Sequence, residues 1–495
     1  MQTLAQLPVH AQELSTLAVD WLDAYWDETT GLLWYPGYEP NRYTSHPTHY
    51  RLVRETAWYA VGLLLRGNPR DIERAIQALH AVLDQQFDAP TQAYHGTFSR
   101  SPEEPVPPTN PLEWKHYDPN WREFVGTTLG LILINYAALL PATLITRIDR
   151  ALQLAVVGTL QRQVPAAYTN IALMRAFLLA FAAQRFEQPA WAEEAHQIAD
   201  AIYTRFKQHN NFDEFNSPTY YGTDLYALAL WRSYAPSTTM QTRGAEMERL
   251  LWDDIARFYH AGLRNLCGPF DRSYGMDLRE YVNLLGMWIW LVVGREQAPF
   301  PVIQAPLVHA HDLCFAPCVA LLGAQLTSES AALLTGFTAA HQIEQIIVGE
   351  PPRRATAWLE PTLMIGAEQT DHTRAGHGQF HPATIHWRID QQTIGWLRLI
   401  HTQPADARVT ERQLTISAIG PIRFEINTAG HTVPTLTADY WQLPGLMIHV
   451  AGAAPTPQIH AAATISVIEY PADAEQRIEL ALSVVPTKAE DHGNF

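Results

Sequence analysis

Twelve residues, Asp213 to Asp224, gather proton-handling groups in the order Asp-Glu-Phe-Asn-Ser-Pro-Thr-Tyr-Tyr-Gly-Thr-Asp. They lead straight into an apolar helical run, Leu225 to Trp231. An amide (Asn216), two phenols (Tyr220 and Tyr221) and three carboxylates (Asp213, Glu214 and Asp224) meet at one helix mouth. Such a set suits a site that holds an anionic or hydroxyl-rich ligand and moves a proton. Plainer roles compete. Asn216 or Ser217 caps the helix after Pro218, and the tyrosines pack. Successive helical residues point about 100° apart, so only one of Tyr220 and Tyr221 is expected to face a cleft. Asp224, one turn beyond Tyr220, is placed to orient its hydroxyl.

Other polar runs fall in other long gaps between apolar segments. Trp114 to Phe124 contains His116, Asp118, Asn120, Trp121 and Arg122. Asn120 stands where a helix begins, the position of an N-cap. Arg122 sits badly against the positive end of the helix dipole and requires a partner carboxylate, from protein or ligand. Gly268 to Tyr281 brings Asp271 and Arg272, at the least a local ion pair. It also brings Tyr274, Asp277 and Tyr281, which share a face if the segment is helical. A histidine-rich set comprises His309, His311 and Asp312, then His372, His377, His381 and His386. These are zinc-ligand types, and a structural zinc in the β-rich region is the metal reading. The spacing matches no metal motif, so scattered histidines are the plainer one. Tyr43, His46, His49, Tyr50 and Arg51 make one more candidate wall of a cleft. There is no Gly-rich phosphate loop, no G-x-S-x-G and no HExxH, which speaks against nucleotide chemistry and serine hydrolysis.

The elements that must position these groups change character along the chain. Apolar residues recur at helical spacing over 11–26, 50–66, 71–87, 121–139, 144–160, 169–186, 189–207, 219–234, 245–260, 275–293, 309–324 and 328–341. Ile145, Ile148, Leu152 and Ala155 illustrate the period. Short gaps alternate with long polar ones at 27–49, 88–120, 208–218 and 261–274. Stacked helical hairpins with long loops on one rim produce that pattern, and about twelve helices closing on themselves form an (α/α) toroid. From residue 343 the pattern becomes short, β-branched and alternating, as in Thr384–Ile389, Thr393–Ile400, Ile422–Asn427 and Arg477–Val485. Nine or more such runs predict an antiparallel β-sandwich. The predicted domains are 1–342, helical and holding the site, and 343–495, the sandwich, with Pro351-Pro352 near the junction.

Composition bounds the function. The chain has 495 residues and a net charge of −16, so a nucleic-acid partner is not expected. No apolar run is long enough to span a membrane. Fifteen Trp, 20 Tyr and 17 Phe suit cores and carbohydrate-stacking clefts alike. Cys267, Cys314 and Cys318 read as buried thiols in a reducing compartment. The first residues show no secretory pattern, so a cytoplasmic location is expected.

A helical toroid followed by an antiparallel sandwich resembles the heparinase II/III, chondroitin and alginate lyases. Asn120-Trp121 and Asn216-Ser217-Pro218-Thr219-Tyr220-Tyr221 are similar to heparinase-type cleft motifs. The resemblance implies a carbon–oxygen lyase that cleaves a uronic-acid-containing saccharide by β-elimination. It implies Asn120 and Asn216 as neutralisers of the substrate carboxylate, Tyr220 or Tyr221 as acid/base, and His116 or His49 as a second base. Arg122 and Arg272 would bind the anion or depress the Tyr pKa, and Trp121, Tyr274, Asp277, His49 and Asp224 are further candidates for binding the substrate. No resident cofactor is expected, zinc or calcium in a structural role being the exception, and the partner is a carbohydrate or other small molecule. The alternatives are a glycoside hydrolase using a carboxylate pair, with Asp213, Glu214, Asp224, Asp277 and Glu280 as candidates, and a toroid enzyme or binding protein for a non-saccharide ligand.

Overall fold

The computed structural model describes residues 1–35, 50–431 and 434–487. The candidate wall residues Tyr43, His46 and His49 lie outside the described residues. Contacts divide the chain into two units. One comprises Met1–Arg205, Tyr220–Arg249 and Glu280–Gln325, and the other Phe206–Thr219, Leu250–Arg279 and Leu326–Phe495.

Among the described residues there are twelve α-helices, followed by a β-rich region. They are α1 (Val9–Leu22), α2 (Arg54–Arg66), α3 (Pro69–Leu83), α4 (Trp121–Tyr136), α5 (Ala142–Gln161) and α6 (Thr169–Arg185). Then come α7 (Pro189–Phe206), α8 (Tyr221–Tyr234), α9 (Thr238–Phe258), α10 (Leu284–Val293), α11 (Ala316–Leu322) and α12 (Ser328–Thr335). Two kinds alternate. α3 and α5 bury one stripe each, such as Ala75, Ala78, Leu79 and Val82 on α3. α2, α4, α6 and α8 are buried on nearly every side, as a helix apolar all round must be. These inner helices pack α2 on α4, α4 on α6, α6 on α8, α8 on α10 and α11, and α11 back on α2. The cycle of contacts is closed. Small residues set the spacing. A Cβ on Gly222 of α8 would lie 2.4 Å from Leu284 Cβ and 2.6 Å from the Leu284 carbonyl carbon at the start of α10.

Helix ends depart from the sequence reading for local reasons. The helix expected over 275–293 begins only at Leu284, capped by Asn283, whose Oδ1 accepts the Gly286 N–H at 2.6 Å. The preceding loop is held by Asn265, which donates to the Met276 carbonyl at 2.8 Å and accepts the Leu278 N–H at 3.3 Å. Tyr274, Asp277 and Tyr281 therefore do not share a helical face. α8 begins at Tyr221, and neither Asn216 nor Ser217 caps it. Asn216 adopts a left-handed backbone (φ 47°) and its amide donates to the Cys267 and Pro269 carbonyls, both at 2.7 Å. Ser217 donates to the Arg272 carbonyl at 3.0 Å. The helix expected over 309–324 is a 3₁₀ turn, Ala310–Phe315, running into α11.

The β-rich unit holds two large antiparallel sheets, beside the short pair Tyr259–His260 and Asn265–Leu266. The larger runs in the order Gln458–His460, Ile465–Tyr470, Ile422–Asn427, Ile394–His401, Ala383–Arg388, Leu363–Gln369, Arg353–Glu360 and His341–Ile347. The smaller runs Ala405–Thr410, Gln413–Ile419, Arg477–Pro486, Leu446–Ala453, Tyr440–Leu443 and Thr435–Leu436. Ile385, Trp387, Leu397 and Phe424 from one sheet and Ile416, Trp441, Ile448 and Leu482 from the other fill a single apolar cluster. The strand Leu363–Gln369 escaped the sequence reading because it is buried on both faces, so its apolar residues do not alternate. Gly366 admits a neighbour on its outer face: a Cβ there would lie 1.9 Å from the Gly268 carbonyl oxygen.

The candidate histidines of this unit have separate surroundings, His377 being exposed and His372 half-buried. His386 is fully buried and its Nε2–H donates to the Met276 carbonyl at 2.9 Å. Its Nδ1 is buried without a hydrogen-bond partner among the described residues, so a second proton there finds no acceptor among them. Burial pushes the imidazole down to about 4. His372 faces Asp406 at 3.8 Å, and His381 is buried, pushed down to about 3 by desolvation.

Two outcomes are expected. Gly222→Ala should lower stability by about 1–3 kcal/mol through overpacking, read as a lower thermal midpoint; an unchanged midpoint would mean α8 and α10 can part. The stabilisation held by neutral His386 is complete above about pH 6.5, where an unfolded histidine is neutral, and is lost as pH falls through about 4. The stability advantage of wild type over His386→Asn should therefore shrink by up to about 3 kcal/mol over that window. A pH-independent difference in denaturant midpoints would contradict it.

Candidate functional site

Everything at the mouth of α4 hangs on Arg122. It is fully buried, and three main-chain carbonyls take the place of the carboxylate or ligand anion expected for it. Nε donates to the His95 carbonyl at 2.7 Å, Nη1 to the Pro119 carbonyl at 3.3 Å and Nη2 to the Ala93 carbonyl. Burial lowers its pKa, with Glu123 the largest offset. Gly158 of α5 makes the room, since a Cβ there would lie 2.0 Å from the His95 oxygen and 2.6 Å from Arg122 Nε. Arg122 is thus a clamp on the long loop before α4, not a binder of anions. Arg100 adds a second clamp, donating to the Trp114 and Lys115 carbonyls at 3.0 and 3.2 Å.

The clamped loop delivers Asn120 to a network. Asn120 is buried and makes no side-chain cap bond. Its amide donates to the Tyr168 hydroxyl at 2.9 Å, and its Oδ1 accepts from Arg162 Nη1 at 2.7 Å. Arg162 stands 5.7 Å from the Trp114 ring centroid and 3.4 Å from Glu113. A guanidinium, an amide and a phenol are joined in line at the starts of α4 and α6. Asp118 accepts the Asn120 N–H at 2.9 Å, and desolvation raises its carboxyl despite that bond and the nearby Arg54, Arg100 and Arg162.

Beside this network Arg54, at the start of α2, lies over Trp58, Trp121 and Phe124, 4.5 to 5.0 Å from the ring centroids. Its burial disfavours charge, but Glu55, at 2.6 Å, and the fields of Asp312 and Asp118 hold its pKa above the ordinary value. Around the same helix starts, Tyr281 meets His309 at 5.8 Å between rings, His309 meets His311 at 5.7 Å, and Tyr35 meets His311 at 5.5 Å. Tyr220 is half-buried at the N-cap of α8, while Tyr221 and Asp224 are buried within it. His116 is half-buried in the clamped loop, its Nδ1 accepting the Leu112 N–H at 2.9 Å.

The helical unit holds Asn120 and Trp121 at the start of α4 and Tyr220 and Tyr221 at the start of α8, both helices packing on α6. Sequence reasoning missed Tyr168 and Arg162. Tyr168 stands just before the Thr169 helix, as Tyr220 stands before its own, and that parallel was its only signal. His116, Arg122 and Asp224 also belong to this unit, whereas Asn216, Arg272, Tyr274 and Asp277 belong to the second. Asn216 is a loop staple by its amide nitrogen. Asp271 pairs with Arg353 at 3.2 Å and with Arg374, rather than locally with Arg272. Arg272 is half-buried, Tyr274 is exposed, and buried Asp277 is bound by Arg279 at 2.6 Å. His49 lies outside the described residues.

The chain belongs to the family described as Domain of unknown function (DUF8769), whose model matches residues 12–324. Residues 338–469 match a second family, Domain of unknown function (DUF8770). No curated protein matches the chain. Among solved structures it is similar to a chondroitin AC lyase of Streptomyces coelicolor A3 in complex with chondroitin sulphate. The identity is 9%, over 98% of this chain and 80% of that one, with a TM-score of 0.48. It is similar to a heparinase III at 10% identity, over 98% and 86% of the chains, with a TM-score of 0.46. An endoglucanase of Clostridium thermocellum complexed with cellotriose matches at 10% identity, over 97% and 79%, with a TM-score of 0.31.

The Asn120–Tyr168 bond should be measurable in the fold. In a double-mutant cycle, Asn120→Ala and Tyr168→Phe should couple by about 1 kcal/mol in unfolding free energy. Additive effects would show that the two side chains do not support each other.

Proposed function

We propose that the protein is a carbohydrate-active enzyme, an (α/α) toroid with a β-sandwich, that cleaves a uronic-acid glycoside by β-elimination. The Arg162–Asn120–Tyr168 chain carries this reading. A uronate C5 proton is weakly acidic because the adjacent carboxylate is already negative. Abstraction needs that carboxylate's charge drawn off as the dianion develops. The Asn120 amide, with its oxygen bound to a guanidinium, is polarised for donating to such an oxygen, and Arg162 supplies positive charge behind it. A phenol then takes the C5 proton, the C4–O4 bond breaks as the C4–C5 double bond forms, and a proton returns to O4. Water is not consumed.

Tyr168, Tyr220 and Tyr221 stand at the starts of α6 and α8. Tyr220, half-buried, is the acid/base of this proposal; Tyr168 orients Asn120, and Tyr221 is buried beneath. Trp121, buried beside Arg54, is assigned the contact with a sugar ring, and half-buried His116 the role of second base. Asn216 is assigned a structural role because its amide nitrogen already serves two carbonyls. Three buried free thiols fit a reducing compartment, and the cytoplasm is the proposed location. No helix among the described residues is long and apolar enough to cross a membrane.

One observation favours a second reading. The raised carboxyl of Asp118 is suited to donating a proton to a glycosidic oxygen, as a hydrolase requires. The two reactions leave different products. Incubation with a panel of uronic-acid oligosaccharides should produce the near-ultraviolet absorbance of an unsaturated uronate. Tyr220→Phe should abolish it and Asn120→Ala should reduce kcat/KM on the order of 10²-fold or more, both with wild-type circular dichroism. New reducing ends without that absorbance would select the hydrolase, and no cleavage of any uronide would reject both.

A further inference from the structure

The chemistry above leaves His309, His311 and Asp312 unused. We propose that these three side chains form a binding site for one divalent first-row transition-metal ion of the zinc type. The site is built by local backbone geometry. The Val282 N–H donates to the Val308 carbonyl at 3.0 Å and pins the chain just before His309. His309 then turns through a left-handed conformation (φ 53°) into the 3₁₀ turn Ala310–Phe315. With three residues per 3₁₀ turn, His309 and Asp312 fall on the same side.

The donor atoms converge within 4.8 Å of one another. Asp312 directs one oxygen to His309 Nδ1 at 3.7 Å and the other to His311 Nε2 at 3.6 Å. These separations are too long for hydrogen bonds. They are near the edge, about 3.4 Å, of a tetrahedron of ligands with bonds of about 2.1 Å. Small side-chain rotations would bring all three donors onto one ion. His311 turns Nε2 to Asp312, while its Nδ1 meets no hydrogen-bonding group among the described residues, so no second hydrogen bond opposes rotation of the ring.

Charge and donor type select the ion. Asp312 is buried and brings a negative charge; the Arg54 guanidinium in its field is balanced by its own salt bridge to Glu55 at 2.6 Å. Two imidazoles and one carboxylate suit zinc and its neighbours. Calcium and magnesium, which take oxygen ligands, are disfavoured. Three protein donors leave a coordination position for water or a substrate oxygen. Among the described residues no other group of three His, Cys, Asp or Glu side chains converges in this way. The site stands whether or not the protein cleaves uronides.

Calorimetric titration of the metal-free full chain with Zn²⁺ tests it. One ion should bind per chain, and Co²⁺ in its place should give visible d–d bands. His311→Gln and Asp312→Asn should each weaken binding at least about tenfold, while His372→Ala in the β-rich unit should leave it unchanged. Should a variant fail to fold, the wild-type chain gives a second readout. Zn²⁺ should protect His309 and His311 from diethyl pyrocarbonate, mapped by peptide mass, and spare the modification of His372. Absence of stoichiometric uptake, unchanged affinity in folded variants, or labelling of His309 and His311 indifferent to Zn²⁺ would each overturn the proposal.

Discussion

A single buried guanidinium, Arg122, organises the site. A charge out of water with no ion pair among the described residues is costly, and it is tolerated because three carbonyls converge on it and the field of Glu123 offsets part of the burial. Those carbonyls, of Ala93, His95 and Pro119, belong to a long loop that has little regular structure of its own. Satisfying the charge therefore fixes the loop, and fixing the loop places Asn120 and Trp121 at the start of α4. Gly158 is part of the same constraint, since any side chain there would strike both donor and acceptor.

The inner helices extend that logic. Buried on nearly every side, they can expose polar groups only at their ends, where unpaired main-chain N–H groups already favour anions. Arg54, Asn120, Tyr168, Tyr220 and the His309–Asp312 turn all stand at or just before such starts. The aromatic faces of Trp58, Trp121 and Phe124 around Arg54 keep its charge close to three carboxylates instead of bulk water. Amide, phenol and imidazole groups are thereby held in a partly dry setting, where directed hydrogen bonds count for more than they do in solvent.

What could be read in the sequence was what local periodicity encodes. All twelve helices were legible, and so were strands such as Ile422–Asn427 whose faces alternate. Leu363–Gln369 was not, because burial on both faces erases the alternation. The motif Asn216 to Tyr221 looked like one cleft segment, yet Asn216 spends its amide on a distant loop while the tyrosines open α8. Arg122 looked like an anion binder because two of its three carbonyl partners, Ala93 and His95, lie nearly thirty residues upstream, at a distance no local pattern reveals. The contribution of Arg162 and Tyr168 depends on α5 and α6 meeting α4 and was invisible for the same reason. Of the seven histidine-cluster residues, only the three that share one turn came together.

The central claim is that the Arg162–Asn120–Tyr168 chain and Trp121 receive the ligand's anionic sugar. A crystal structure of the Tyr220→Phe variant soaked with a uronic-acid oligosaccharide tests it most directly. The account predicts a uronate carboxylate within hydrogen-bonding distance of the Asn120 amide and a ring against Trp121. An oligosaccharide bound elsewhere, with the Asn120–Tyr168 bond untouched, would contradict it.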